Sequence, residues 1–154
     1  MASTANRFKK KDSSVDAASR TVERLRPAKP VTVAVNVSVF DAARTMKSNR
    51  AAAVIVIDDD GALAGIFTDT DTARRVVSQG LDPHTTPIGS VMTPQPKCVS
   101  SDDSAAFALD MMLSGRFRHL PVISADSGVV TGVLNVAKCL HDAIRRIENS
   151  SSKS

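Results

Sequence analysis

Sliding the 154-residue chain along itself by 67 positions brings Pro27 onto Pro94, Phe40 onto Phe107, Asp59 onto Asp126, Gly61 onto Gly128 and Gly65 onto Gly132, with no gap. These identities fall at matching points of one hydrophobic pattern, so duplication of a supersecondary unit explains them better than chance. In the first copy PVTVAV (Pro30–Val35) reads as a short strand, and Ser38–Ser48 as a helix with Val39, Ala42, Ala43 and Met46 on one face. AVIVI (Ala53–Ile57) is a β-branched run bounded by turn residues, which suits a strand buried on both faces. DDDG (Asp58–Gly61) turns the chain into ALAGIFT with an Asp-Gly hairpin signal, and it lacks the alternating oxygen ligands of a Ca²⁺ loop. The second copy repeats this order with KCVS, a helix around Ala105–Ser114, HLPVI, an ADSG turn and VVTGVLN. Its last helix, Val136–Ile147, aligns Val136, Leu140, Ile144 and Ile147 on one face.

The pattern predicts an α/β (α+β) fold of tandem βαββα repeats. A repeat of this size alone would leave a sheet face or a helix stripe in water, so the two are expected to pack as a pseudo-twofold pair with related clefts near the strand-to-helix junctions. Apolar helix surface left over predicts a homodimer. The expected divisions are a disordered basic arm at 1–19, a first repeat at 20–81, a second at 82–148 and a Ser-rich tail at 149–154.

Charge is concentrated at the start. Residues 1–29 hold eight Lys or Arg against three acids, a net +5, which leaves the rest of the chain at −1 within a total of +4. A nucleic-acid-binding domain carries its excess on a folded face, and a body without Trp or Tyr lacks stacking platforms for single strands. Neither nucleic acid nor a membrane is the expected partner, although the arm itself leaves binding to an acidic polymer or surface as a weaker reading. The start has no apolar h-region; its Ser, Ala and Arg suit a transit peptide, while Asp12 and Asp16 count against one. The longest apolar run, Ala51–Ile57, is too short to cross a bilayer. Cys98 and Cys139 have no metal-ligand or C-x-x-C spacing and read as reduced, partly buried thiols of a cytoplasmic protein.

The stretch GIFTDTDTARRV (Gly65–Val76) places Thr68 and Asp71 where a strand meets a helix. Thr at the N-cap with an acid three residues on is close to a capping box, and this reading needs no ligand. The second repeat carries Asn135 and Lys138 at the matching positions, so a cap is kept while the acid is not. A carboxylate at such a junction also suits the two hydroxyls of a ribose. Arg118 and His119 precede the second copy's middle strand where the first copy has Ala51 and Ala52, and they suit a phosphate. Arg50 and Asp69 are weaker candidates. Catalytic motifs are missing: there is no P-loop, G-x-S-x-G or H-E-x-x-H, and His84, His119 and His141 show no metal spacing. The chain is not expected to be an enzyme, nor to hold a metal or a cofactor.

VMTPQP, FRHLPVI and GIFTDTD together resemble a tandem pair of cystathionine-β-synthase (CBS) domains. RTVERLRPAKPVTV, GIFTDTDTARRV and AKCLHDAI are similar to the pair in plant and fungal multi-domain CBS proteins, and the resemblance covers roughly residues 20–148. It implies that the pair usually continues into a β-grasp interaction domain, and ENSSSKS stands where such a linker would start. It also implies that the Ser/Thr-x-x-Asp motif, here Thr68 and Asp71, holds a ribose, with phosphate on Arg118 and His119. The expected function is a regulatory module that senses AMP, ADP, ATP or S-adenosylmethionine in the cleft between repeats and signals to a partner. A ligand-independent dimerisation scaffold is the alternative. With Lys138 in place of the acid, one competent site per chain is expected.

Overall fold

The computed structural model describes residues 20–152, so the arm at 1–19 and the last two residues lie outside it. Two compact units are formed within this range. One contains residues 30–96 and the other residues 20–29 together with 97–152.

In the unit of residues 30–96, β1 (Thr32–Ala34), β2 (Ala53–Ile57), β3 (Leu63–Thr68) and β4 (Thr93–Pro94) form a sheet in that order. β1 and β2 run parallel because α1 (Val39–Ser48) crosses between them, β2 and β3 form an antiparallel hairpin, and the short helix α2 (Asp69–Asp71) follows β3. Ser38 caps α1 by accepting the Asp41 amide at 3.1 Å. The hairpin turn is set by Asp58, whose carboxylate accepts the amides of Asp60 and Ala62 at 2.9 Å each, and by Gly61 at φ 78°. Val33, Val39, Ala42, Met46, Val54, Val56, Phe67 and Val76 form the core, with Ile88 and Val91 returning onto it from the segment after the last helix. The alternate residue Ile55 is also fully buried, as expected of a strand covered on both faces.

The other unit repeats the plan with β5 (Val99–Ser100), α3 (Ala105–Gly115), β6 (His119–Ile123), β7 (Val130–Asn135) and α4 (Val136–Ser151). Its core gathers Val99, Ala108, Met112, Leu120, Val122, Leu134 and Cys139, and is closed by Val22 from a 3₁₀ turn at Val22–Leu25. α4 continues four residues past Ile147, into the stretch that the sequence suggests is a Ser-rich tail. Leu140, Ile144 and Ile147 of its apolar stripe are 41%, 54% and 66% exposed, a face the described residues leave open.

Repeat periods and compact units are therefore different partitions. The segment before each repeat's first strand joins the other unit: Thr93–Pro94 pairs antiparallel with Gly65–Ile66, and Ala28 bridges Val133 with hydrogen bonds of 3.0 and 2.9 Å. Both straps cover a sheet edge, where proline is tolerated because the missing N–H faces outward.

Candidate functional site

Where β3 ends the chain turns directly into a helix, Asp69–Asp71, and Thr68 is its N-cap. Thr68 Oγ1 accepts the Asp71 amide at 3.3 Å, and Asp71 Oδ2 accepts the Thr68 amide at 2.9 Å. This is a complete capping box, so the structural role open to these residues in the sequence is realised. Asp71 Oδ1 is directed instead to Arg75 Nε at 3.6 Å. The Arg75 guanidinium in turn donates through Nη1 to the carbonyls of Val91 at 3.1 Å and Met92 at 2.9 Å. A carboxylate at the junction is thus wired to the strap that runs into β4. From Thr72 to Val77 the helix widens to π geometry, with Ser78 N bonded to Ala73 O at 2.9 Å. Such widening is rare and recurs at functional sites.

Beside this junction lies an open cavity of about 450 Å³ lined by Met46, Arg50, Ala51, Ala52, Asp69 and Thr72. Thr68 and Asp71 are half-buried next to it and are not part of its lining. Arg50 and Asp69, secondary candidates in the sequence, are in the lining, and Thr72 was missed because it carries no motif of its own. Arg50 is placed by a Schellman turn closing α1: its amide donates to Lys47 O at 3.2 Å and the Ala51 amide to Met46 O at 2.9 Å. That turn holds Arg50 at φ 51°, a left-handed conformation natural to glycine. Arg50→Gly is therefore expected to raise unfolding free energy by about 1 kcal/mol in urea titrations.

Arg118 and His119 are adjacent at the start of β6 in the other unit. Arg118 is exposed and its carbonyl accepts the Val136 amide at 2.9 Å; His119 is half-buried and pairs in register with Asn135. At that unit's own strand-to-helix junction Asn135 caps α4 by accepting the Ala137 amide at 2.7 Å. Lys138 follows, and its ammonium donates to the Arg26 carbonyl rather than to an acidic group. One turn on, Asp142 pairs with Arg20 at 3.6 Å. The two helices thus carry reversed charges, Asp71 and Arg75 in one, Lys138 and Asp142 in the other. In each a cation still holds carbonyls of the adjoining strap. An acid stands at this position of one junction only, Asp71 in the first and Lys138 in the second.

Cys98 and Cys139 are buried free thiols. Burial, with the Asp142 charge adding to it, pushes the Cys139 thiol up to about 11, so it is protonated and a poor nucleophile at neutral pH. Among the described residues no group of His, Cys, Asp and Glu is arranged to hold a metal ion, and no helix is long and apolar enough to cross a membrane.

Residues 22–78 and 88–148 each match the family model described as CBS domain. The chain belongs to the CBS domain family. Over 134 residues it is 44% identical to CBS domain-containing protein CBSCBSPB1 of Arabidopsis thaliana, covering 87% of this chain and 24% of that protein. It spans about a quarter of the length of such curated relatives. A putative signal-transduction protein with CBS domains from Burkholderia ambifaria superposes with a TM-score of 0.74 at 29% identity, covering 82% of this chain and 95% of that one. CBS domain protein PAE2072 from Pyrobaculum aerophilum, complexed with AMP, has the same fold, with a TM-score of 0.71 at 21% identity over 77% of this chain and 89% of that one. No catalytic family is indicated, and CBS-domain proteins of this kind are generally regulatory.

Proposed function

We propose that this CBS pair is a regulatory module that binds an adenine nucleotide at the Thr68–Asp71 junction and passes occupancy to a partner. One observation carries the reading. The carboxylate of Asp71, already oriented by the capping box, lies beside an open cavity, and among the described residues its Oδ1 has an ion-pair partner only in Arg75, at 3.6 Å, whose own side chain is 44% exposed. A ribose hydroxyl is a fitting competitor for that oxygen. PAE2072, a protein of the same fold that is complexed with AMP, supports this reading.

The same oxygen suggests how binding is read out. A hydroxyl that takes Asp71 Oδ1 draws it away from Arg75, whose other nitrogen holds Val91 and Met92. Occupancy then biases the strap leading into β4, a population shift within a local element. The receiver is a regulated protein, or an interaction domain of the β-grasp kind that the family resemblance implies. Two free, buried thiols are consistent with work in a reducing, cytoplasm-like compartment.

Calorimetry with AMP, ADP, ATP and S-adenosylmethionine tests the site. At least one should bind, and Asp71→Ala should weaken it about tenfold or more while lowering stability by about 1 kcal/mol through loss of the cap. Arg118→Ala and His119→Ala are assayed alongside, as the phosphate-binding pair to which the sequence points. Equal affinity for wild type and Asp71→Ala removes the site. Failure of every nucleotide to bind or to raise the melting temperature favours the scaffold reading. That reading has its own support in the open apolar face of Leu140, Ile144 and Ile147, which suits a second copy of the chain.

A further inference from the structure

The unit built on α4 has a groove of about 480 Å³ between the 3₁₀ turn Val22–Leu25 and the outer face of α4. Lys138, His141, Asp142 and Arg145 lie at helical spacings of three, four and seven and so share one stripe of α4, while Arg24 in the turn and Arg20 just before it also line the groove. Four permanent cations therefore surround one carboxylate. That carboxylate, Asp142, is engaged by Arg20 at 3.6 Å, and the Lys138 ammonium is held by the Arg26 carbonyl. Arg24 and Arg145 are exposed, and neither has a carboxylate within ion-pair reach among the described residues.

Cations crowded in a concavity repel one another, an arrangement that an anion relieves. Guanidinium forks match phosphate oxygens two at a time, and two unpaired forks lining one groove favour an anion with more than one phosphate group. An extended nucleic acid fits poorly, because residues 20–154, which include every groove residue, carry a net charge of only +2 and no Trp or Tyr for stacking. We propose that this groove is a binding site for a compact polyphosphate, either free or as the phosphate chain of a nucleotide. It is separate from the Thr68–Asp71 junction, which lies in the other unit, and it does not rest on the reading given for that junction.

The test is calorimetric titration of the full chain with tripolyphosphate at about 0.1 M salt, where exposed charges are already partly screened. Arg24→Gln combined with Arg145→Gln removes both unpaired forks and leaves the cations of residues 1–19 as an internal control. Because both residues are exposed, the double variant should keep its melting temperature. The wild type is expected to bind in the micromolar range, the double variant about tenfold or more weakly, and Asp71→Ala like the wild type. ATP binding Asp71→Ala more tightly than tripolyphosphate marks a nucleotide as the source of the phosphates; equal or weaker binding marks a free polyphosphate. Wild type that fails to bind tripolyphosphate at millimolar concentration overturns the proposal. So does undiminished binding by the double variant, or loss of binding in Asp71→Ala.

Discussion

Phe67→Ala is expected to lower the unfolding free energy by about 4 kcal/mol, the largest loss from any single substitution in the unit of residues 30–96. Phe67 is the bulkiest fully buried side chain among the described residues, sitting on β3 opposite Val54 and packed among Val33, Val39, Ala42, Met46 and Val56. Those neighbours are mostly small and β-branched, each held to few rotamers, so they cannot swing into the vacated space. The lost transfer energy is then joined by the cost of a cavity. Against a typical total of about 5–15 kcal/mol, such a loss leaves the unit marginal. Phe67→Leu fills most of the space and should cost only about 1 kcal/mol. Urea unfolding of both variants checks the contrast: similar midpoints for alanine and leucine would show that the core refills and that Phe67 does not organise it. Since Thr68 follows directly, the alanine variant should also weaken nucleotide binding more than Asp71→Ala does, because it disturbs the whole end of β3.

Most of the element order was legible because strand and helix signals repeat in one chain. Ser38, Thr68, Ser104 and Asn135 each cap the helix that the apolar spacing places after them. The five identities at offset 67 have unequal meanings. Gly61 and Gly128 both occupy hairpin turns at φ 78° and 72°. Pro27, Pro94, Gly65 and Gly132 belong to the two straps and the strands beneath them. Asp59 and Asp126 do not share a role: the turn at Gly61 is held by the neighbouring Asp58, while in the second turn the Ser124 hydroxyl accepts the Asp126 amide. Phe40 stacks on His84 at the surface, whereas Phe107 packs against a core. The exchange of straps was hidden because pairing through a two-residue strand or a single bridge leaves almost no periodicity to read. The site was half legible. Thr68 and Asp71 announce themselves by spacing, but Arg75 and Lys138, which tie the helices to the straps, act through backbone carbonyls, and a carbonyl has no residue type to recognise.

Gly65→Val and Gly132→Val are expected to cost about 3 kcal/mol each and to release opposite straps. A Cβ on Gly65 would collide with Met92 Sδ, which can move aside, and come within 2.8 Å of the Thr93 carbonyl oxygen, which cannot without breaking the ladder. On Gly132 a Cβ meets Pro27 Cβ at 2.8 Å and the Ala28 carbonyl oxygen at 3.2 Å. Valine adds two methyls to each clash. Hydrogen exchange distinguishes the two cases. In Gly65→Val the Gln95 amide, bonded to Ala64 O at 3.1 Å, should lose protection while the Ala28 amide keeps it; Gly132→Val should do the reverse. Simultaneous loss of both amides in either variant would show that the straps do not open separately. The Gly65 variant also bears on regulation. With its strap released, Val91 and Met92 leave the Arg75 guanidinium, so a nucleotide at Asp71 should bind yet no longer change the exchange of the residues around β4. Persistence of that ligand effect in Gly65→Val would mean that occupancy travels by a route other than the cation that joins the helix to the strap.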